Sequence, residues 1–254
     1  MMRLVRYALI ALAAMLAYLG IEGVPPFDNW SMSTLLLAVI ALAVLFIRFE
    51  EGEYGSREVA VVGALAAMAA AGRVLFAAIP GVQPVTFVAV LAGYVFGAEP
   101  GFMVGALAAL LSNIFLGQGP WTPWQMLAWG LAGASGGLLS AAMRGRVRIA
   151  PIATLCTIWG FLFGWMMNFW FWLSYVYPLT FRSFMAANLT SFWFDLFHAA
   201  GNLLFAVFLT VPVATMLVRF RERFGVEYLD DKAGSRDPYG STLSNTGGEN
   251  VVDA

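Results

Sequence analysis

Charged residues are scarce in this 254-residue chain: they make up 11% of it, whereas 61% of its residues are hydrophobic. A soluble domain carries about 25% charged residues. The composition therefore indicates an integral membrane protein. The formal net charge is only −1, and the arginines lie at helix ends rather than in one patch, so we expect no nucleic-acid partner.

Three reactive side chain types occur only once. The single cysteine, Cys156, excludes an internal disulfide and a cysteine-rich metal site. The single histidine, His198, excludes a metal centre built from several histidines. The only lysine, Lys232, lies in the polar C-terminal segment, so the chain cannot carry a Walker motif, which needs a lysine to reach phosphate. We expect no metal and no resident cofactor, and any ATP hydrolysis must come from a partner.

Long apolar runs dominate what is present. They predict an all-α polytopic membrane protein, because lipid offers the backbone no hydrogen-bond partners and helices satisfy those groups internally. The expected segments are 4–20, 32–48, 58–78, 84–97, 101–116, 124–143, 150–174 and 190–218. The fourth segment would be only about 21 Å long at 1.5 Å per residue, which is short for a full crossing. Residues from about 233 onward are rich in Gly, Ser, Asn and Asp, which is typical of disorder.

The basic residues predict the orientation. With eight spans, every one of the 14 basic residues except Arg73 and Arg182 falls on the same side of the membrane as the two termini. The excess of positive charge marks that side as cytoplasmic. We therefore expect a multi-pass protein of the cell membrane whose residues 81–84, 117–126 and 175–189 face outward.

The outward stretch GQGPWTPWQM, residues 117–126, contains no charge. Gln118, Thr122 and Gln125 bring groups that both donate and accept hydrogen bonds, while Trp121 and Trp124 bring large flat faces. Two prolines restrict the backbone. This mixture predicts a ligand-binding surface. The alternative is an ordinary interfacial belt of tryptophans with turn prolines.

Ionisable groups inside the apolar segments are the second candidate feature. Asp195, His198 and Asn202 share one helix face, and Asp195 lies about one turn from the expected outer end of the last segment. An ionisable residue within a membrane span is a functional hypothesis by default. The alternative is a structural contact between helices, for which Arg73 would be a plausible partner. Four more polar residues complete the expected substrate-binding set: Arg73, Gln83, Asn113 and Asn168.

Two alternative functions use the same residues. Asp195 and His198 would serve a proton-coupled secondary transporter. The motifs GASG at 133–136 and HAAG at 198–201 resemble those of rhomboid intramembrane proteases, in which Ser135 would be activated by His198. Rhomboids carry a further histidine that this chain does not have. We therefore expect a binding and transport function rather than an enzyme.

A resemblance covers about two-thirds of the chain. The stretches GALAAMAAAGRVLFAAIPGVQPV (63–85) and LAGYVFGAEPGFMVGALAALLSNIFLGQGPWTPWQM (91–126) resemble the substrate-binding S components of energy-coupling factor vitamin transporters. Their order is an alanine-rich helix, a short segment ending in GxxFG, and a helix that begins P-G-x-x-x-G. The resemblance implies a six-helix core at 58–223, preceded by two extra transmembrane helices in 1–50 and followed by a polar, disordered tail at 224–254.

The resemblance also implies a mechanism. An S component binds a vitamin at the outer face and docks on a transmembrane coupling protein that carries two cytoplasmic ATPases. It then topples in the membrane to release the vitamin inside. Small residues on the first core helix form the docking surface, and the corresponding residues in this sequence are Ala60, Ala64, Ala67 and Ala71.

The tryptophan-rich outward loop looks most like that of cobalamin-type S components, which makes cobalamin the expected vitamin. Its many neutral amides would meet Gln118, Gln125 and Asn113, with its apolar faces against the two tryptophans. A smaller anionic vitamin would instead favour Arg73 or Arg182 as a clamp.

Overall fold

We describe the fold from a computed structural model that covers residues 2–52 and 54–232, with side chains as far as Arg223. These residues form eight α-helices and no strand. The helices are α1 (Met2–Ile21), α2 (Trp30–Glu50), α3 (Ser56–Leu75), α4 (Val85–Phe96), α5 (Ala98–Leu116), α6 (Thr122–Ala142), α7 (Ile149–Tyr175) and α8 (Phe181–Lys232). Each expected apolar segment corresponds to one helix, so the all-α prediction is confirmed for this part of the chain.

Six of the eight helices, namely α1, α2, α3, α5, α7 and α8, are long and apolar enough to cross a membrane. This supports a multi-pass membrane protein, although fewer helices qualify than the eight spans expected. Helix α6 has 21 residues but is less apolar. Helix α4 has 12 residues, or about 18 Å, and most of its side chains are buried by neighbouring helices. It is therefore a core element rather than a lipid-facing span.

Short connections arrange the helices as antiparallel neighbours with two distinct ends. The loops 22–29, 76–84, 117–121 and 176–180 share one end, which we call the tryptophan end. Ser31 donates to Ser174 there over 3.0 Å, joining α2 to α7. The loops 51–55 and 143–148 share the opposite, arginine end, where the Tyr94 hydroxyl donates to the Arg146 carbonyl over 2.6 Å.

Glycines allow α4, α5 and α6 to pack with their backbones in contact. A Cβ atom on Gly133 of α6 would overlap the carbonyl of Gly101 on α5, and one on Gly93 of α4 would overlap the carbonyl of Gly133. Small residues at such spacing let helices approach closely. The small-residue pattern of these segments therefore serves internal packing, which holds the three helices as one rigid layer behind the cavity described below.

The last helix differs from its prediction. It begins at Phe181, so the outward loop expected at 175–189 is reduced to residues 176–180. Asp195 consequently lies about 21 Å along α8 from its start, and the expectation of one turn was wrong. Helix α8 continues to Lys232, whereas the tail from 233, expected to be disordered, lies outside the described residues.

The N-terminal helices attach to one side of the bundle. Helix α1 packs on α2, which packs on α5, α6 and α7. At the arginine end Arg6 pairs with Glu51, while Glu99 accepts from Arg48 Nε at 2.6 Å and from the Tyr54 hydroxyl at 2.8 Å. Burial, together with the Glu99 contact, raises the pKa of Tyr54. These contacts tie α2 and the following loop to α5.

The alanine face of α3 is left open by this arrangement. Helix α3 packs on α4 and α5, and the four alanines expected to form a docking surface point away from them. All four are exposed: Ala60, Ala64, Ala67 and Ala71. The added N-terminal helices therefore do not occupy this face.

Candidate functional site

A cavity of about 230 Å³ lies inside the bundle toward the tryptophan end. Helices α3, α6, α7 and α8 and the 76–84 loop contribute to its wall. Six of the expected substrate-binding residues line it: Arg73, Gln83, Gln125, Asn168, Asp195 and His198. The remaining lining residues are Gly81, Trp129, Phe163, Gly164, Met167, Ser191 and Phe194. Residues from five separate elements thus converge on one small, partly polar space.

Arg73 forms the cationic side of the cavity although only 7% of its surface is exposed. Its Nη1 donates to Ser112 Oγ at 2.7 Å and to Asn113 Oδ1 at 2.6 Å. Its Nε donates to Gln83 Oε1 at 3.2 Å, and the guanidinium carbon lies 4.7 Å from the centroid of the Trp129 ring. Neutral acceptors and a π face therefore hold this buried charge. Among the described residues no carboxylate pairs with Arg73.

Asp195 forms the acidic side and is 2% exposed. Its Oδ2 accepts from Ser191 Oγ at 3.1 Å, and Ser191 in turn accepts from Asn168 Nδ2 at 2.7 Å. Gly164 provides space for the carboxylate, because a Cβ atom there would overlap Oδ1. Asp195 and Arg73 line the same cavity but form no ion pair, so the expected structural contact between them is not found.

His198 is held on the inner wall. Its Nε2 lies 3.2 Å from Thr86 Oγ1, and the same hydroxyl oxygen accepts from Trp129 Nε1 at 3.1 Å. The rings of Phe163 and His198 also pack edge to face, with their centroids 5.1 Å apart. Thr86 of α4 and Phe163 of α7 therefore fix the orientation of the histidine, and Trp129 of α6 holds Thr86 in place.

The amides and hydroxyl of the 117–126 stretch mainly stabilise its own fold. Thr122 Oγ1 donates to Gln118 Oε1 at 2.9 Å, and Gln118 Nε2 donates to the Leu110 carbonyl at 2.9 Å. Asn113 Nδ2 donates to Thr122 Oγ1 at 3.0 Å and to Gln125 Oε1 at 2.7 Å. Only Gln125 of this stretch reaches the cavity. Asn113 supports the cavity from behind, through Arg73.

The two tryptophans of that stretch pack against α7 instead of lining the cavity. Trp121 meets Trp170 edge to face at 6.3 Å, and Trp124 meets Phe169 at 6.2 Å. These contacts join the loop after α5 to the aromatic end of α7. Neither ring lines the cavity, and neighbouring aromatic residues of α7 pack against both.

Asn202 and Ser135 lie apart from the cavity. Asn202 is fully buried and its Nδ2 donates to the Cys156 carbonyl at 3.1 Å, so it joins α8 to α7. Ser135 accepts from Trp159 Nε1 at 2.8 Å and donates to the Ala132 carbonyl at 2.6 Å. Among the described residues no hydrogen bond connects Ser135 with His198, so the dyad of the protease alternative is not assembled.

Several residues that build the cavity were not singled out from the sequence. Thr86, Ser112 and Ser191 stand inside apolar helices, where a hydroxyl is usually satisfied by its own helix backbone. Trp129 and Phe163 also build the cavity, and their rings stack at 4.4 Å. The one available signal was the presence of neighbouring hydroxyl and amide residues in segments facing Arg73 and Asp195.

The site is suited to binding a small molecule rather than a metal. The described residues contain no group of three or more His, Cys, Asp or Glu side chains that could hold a metal ion. The cavity instead offers one cation, one carboxylate, amide groups and an aromatic floor, which together orient a polar organic molecule. Comparison with protein-family models, with curated proteins and with solved structures finds no match to this chain.

Proposed function

We propose that this protein is the membrane-embedded substrate-binding subunit of an energy-coupling factor importer, capturing a vitamin at the outer face of the cell membrane. One observation carries the proposal. Buried charged groups and half-buried amides from five elements converge on a cavity near the tryptophan end, and an ionisable group inside a membrane protein is by default a functional-site hypothesis. The sequence resemblance and the arginine distribution agree with this assignment.

The open alanine face of α3 supports a docking role. Ala60, Ala64, Ala67 and Ala71 are exposed, and small side chains permit close approach of a second set of helices. A transmembrane coupling protein is the partner we propose for this face. Two cytoplasmic ATPases would supply the energy, since the chain has no Walker lysine of its own.

The cavity favours a small vitamin. Its volume of about 230 Å³ lies below the roughly 300–1,000 Å³ of ordinary ligand pockets. Cobalamin is far larger and would require the tryptophan end to open widely. The residues expected to meet it also have other partners, because Trp121 and Trp124 pack on α7. We therefore propose a vitamin of about one or two rings in place of cobalamin.

A binding screen joined to an uptake assay tests the proposal. The purified protein is heated with each of a panel of vitamins, cobalamin included, and we expect one small vitamin to raise the melting temperature. Cells that express the chain with the coupling protein and ATPases of the same organism should then import that vitamin. Uptake should vanish when the Walker lysine of either ATPase is replaced. Uptake that persists without any ATPase would contradict the proposal.

A second candidate is a proton-coupled transporter. The observation that favours it is that Asp195 and His198 line the same cavity. Uptake by the chain alone, collapsed by an uncoupler and insensitive to loss of the ATPases, would identify this function. Unchanged, pH-independent uptake by Asp195→Asn and His198→Gln variants would exclude it.

A further inference from the structure

We infer that the cavity takes a small amphoteric molecule, one ring in size, whose anionic group meets Arg73 and whose cationic or N–H-bearing group meets Asp195. This assignment rests on the proposed function and adds the chemical class of the substrate. It follows from a relationship inside the cavity: two buried groups of opposite charge line it, and neither neutralises the other.

The cationic end is incompletely satisfied. Arg73 uses Nε and Nη1 to donate to Gln83, Ser112 and Asn113. Its Nη2 donates to no described residue, and the side chain is more than nine-tenths buried. A guanidinium in such a position binds a carboxylate or another planar anion strongly, because the charge-assisted bond forms where water competes poorly.

The acidic end is also incompletely satisfied. Asp195 accepts one hydrogen bond, from Ser191 to Oδ2, while Oδ1 packs against Gly164 and accepts from no described residue. A carboxylate can accept at both oxygens. An ammonium group or a ring N–H of the ligand would supply the missing donor, and Asn168 would stay in place to fix Ser191.

The space between the two ends fits a single ring. An apolar cavity of roughly 150 Å³ holds a benzene molecule, so about 230 Å³ accommodates a ring with two short substituents. Trp129 and Phe163 stack at 4.4 Å and both line the cavity, while Met167 lies beside them. A flat aromatic or heteroaromatic ring would complete this apolar wall.

Charge balance selects against simpler ligands. A ligand with an anion alone would pair Arg73 and leave the Asp195 carboxylate buried without a partner, and a cation alone would do the reverse. An uncompensated buried charge is strongly unfavourable. A ligand with both groups satisfies the two ends at once, which explains why the side chains are held apart rather than paired with each other.

Three matched probes test the assignment on the unmodified, detergent-solubilised protein by calorimetry and thermal shift. They are 4-(aminomethyl)benzoate, which has both charges, 4-methylbenzoate, which has only the anion, and benzylamine, which has only the cation. We expect 4-(aminomethyl)benzoate to bind at least tenfold more tightly than either of the others. Equal binding of the three, stronger binding of a singly charged probe, or no binding at all would overturn the inference.

Two substitutions test which cavity residue meets which charged group of the ligand. Asp195→Asn keeps the shape and should bring 4-(aminomethyl)benzoate and 4-methylbenzoate to similar affinity. Arg73→Gln should do the same for 4-(aminomethyl)benzoate and benzylamine. Arg182→Gln removes an exposed arginine at the start of α8 and should change neither of these two affinity differences. If the Arg73→Gln variant does not fold, the ranking of the three probes on the unmodified protein and the Asp195→Asn variant still test the inference.

The outcome is separable from that of the proposed function. A vitamin that is imported with the ATPases and binds equally well to the Asp195→Asn and Arg73→Gln variants would overturn the amphoteric assignment and leave the importer standing. Tight binding of the amphoteric probe together with ATPase-independent uptake would overturn the importer and leave the amphoteric assignment standing.

Discussion

Arg73 Nη1 and Asn113 Oδ1 lie 2.6 Å apart, and this bond connects the buried cation of the cavity with the loop after α5. The amide nitrogen of Asn113, Nδ2, donates to Thr122 and Gln125. One buried amide thus holds Arg73 in place without neutralising it, which a carboxylate at the same position could not do.

Asn113→Asp should therefore neutralise the charge of Arg73 while preserving the fold. The new carboxylate would pair with Arg73 at close range, and Gln125 can turn its amide to donate. We expect the affinity for 4-(aminomethyl)benzoate to fall at least tenfold, which equals about 1.4 kcal/mol, as measured by calorimetry. Gln118→Glu introduces the same charge at an exposed neighbouring position and should leave the affinity within twofold. A tight-binding Asn113→Asp variant would show that Arg73 does not meet the ligand.

Gly164→Ala should displace the acidic end. The added Cβ atom would overlap Asp195 Oδ1, and the aspartate must leave its rotamer because α7 and α8 are packed together there. We expect binding of the same probe to weaken at least fivefold. The clash disappears if Asp195 is first shortened, so Gly164→Ala should lower the melting temperature less in an Asp195→Ala background than alone. Equal falls in both backgrounds would place the strain elsewhere.

Gly133→Ala should destabilise the bundle itself. Its Cβ atom would overlap the backbone of Gly101, which cannot move aside as a flexible side chain can. Overpacking of this kind costs typically about 1–3 kcal/mol, so the melting temperature in detergent should drop by several degrees. Gly63→Ala is the matched control, because no atom lies within 4 Å of the Cβ it would add. It should be neutral or slightly stabilising, since alanine favours helix.

Ala64→Trp or Ala67→Trp should block docking without affecting binding. Both residues are exposed on the open face of α3, so a large side chain has room in the isolated protein but would separate it from a closely packed partner. We expect unchanged thermal shifts with ligand, loss of co-purification with the coupling protein, and loss of uptake. Ala200→Trp changes an exposed alanine on α8 and should retain uptake. Full uptake by both α3 variants would exclude this face as the docking surface.

The helices were largely predictable because each needs a long apolar run, and the observed bounds differ from the expected ones by a few residues in seven of the eight. The start of α8 is the exception. Residues 181–189, FRSFMAANL, contain polar groups that suggested a loop, but Asn188 donates to the Phe184 carbonyl and accepts from Asn168. Tertiary contacts with α7 thus extend the helix.

The candidate site was predictable only in part. Arg73, Asp195 and His198 stood out because charge is rare in this chain, and all three line the cavity. Asn202 shares a helix face with Asp195 and His198 by spacing, yet it donates to the Cys156 carbonyl instead. Periodicity gives the face of a helix but not which neighbour lies opposite each turn.

The sequence by itself determined the class of the protein and the position of its helices, because a chain with so few charges and such long apolar runs can satisfy its backbone only as helices in lipid. The tertiary structure decided which polar groups meet. It separated Arg73 from Asp195, turned Trp121 and Trp124 toward α7, and left the alanine face of α3 open. Those outcomes depend on side chains from helices far apart in the chain, whose approach is set by glycine contacts and by buried hydrogen bonds that a single segment does not encode.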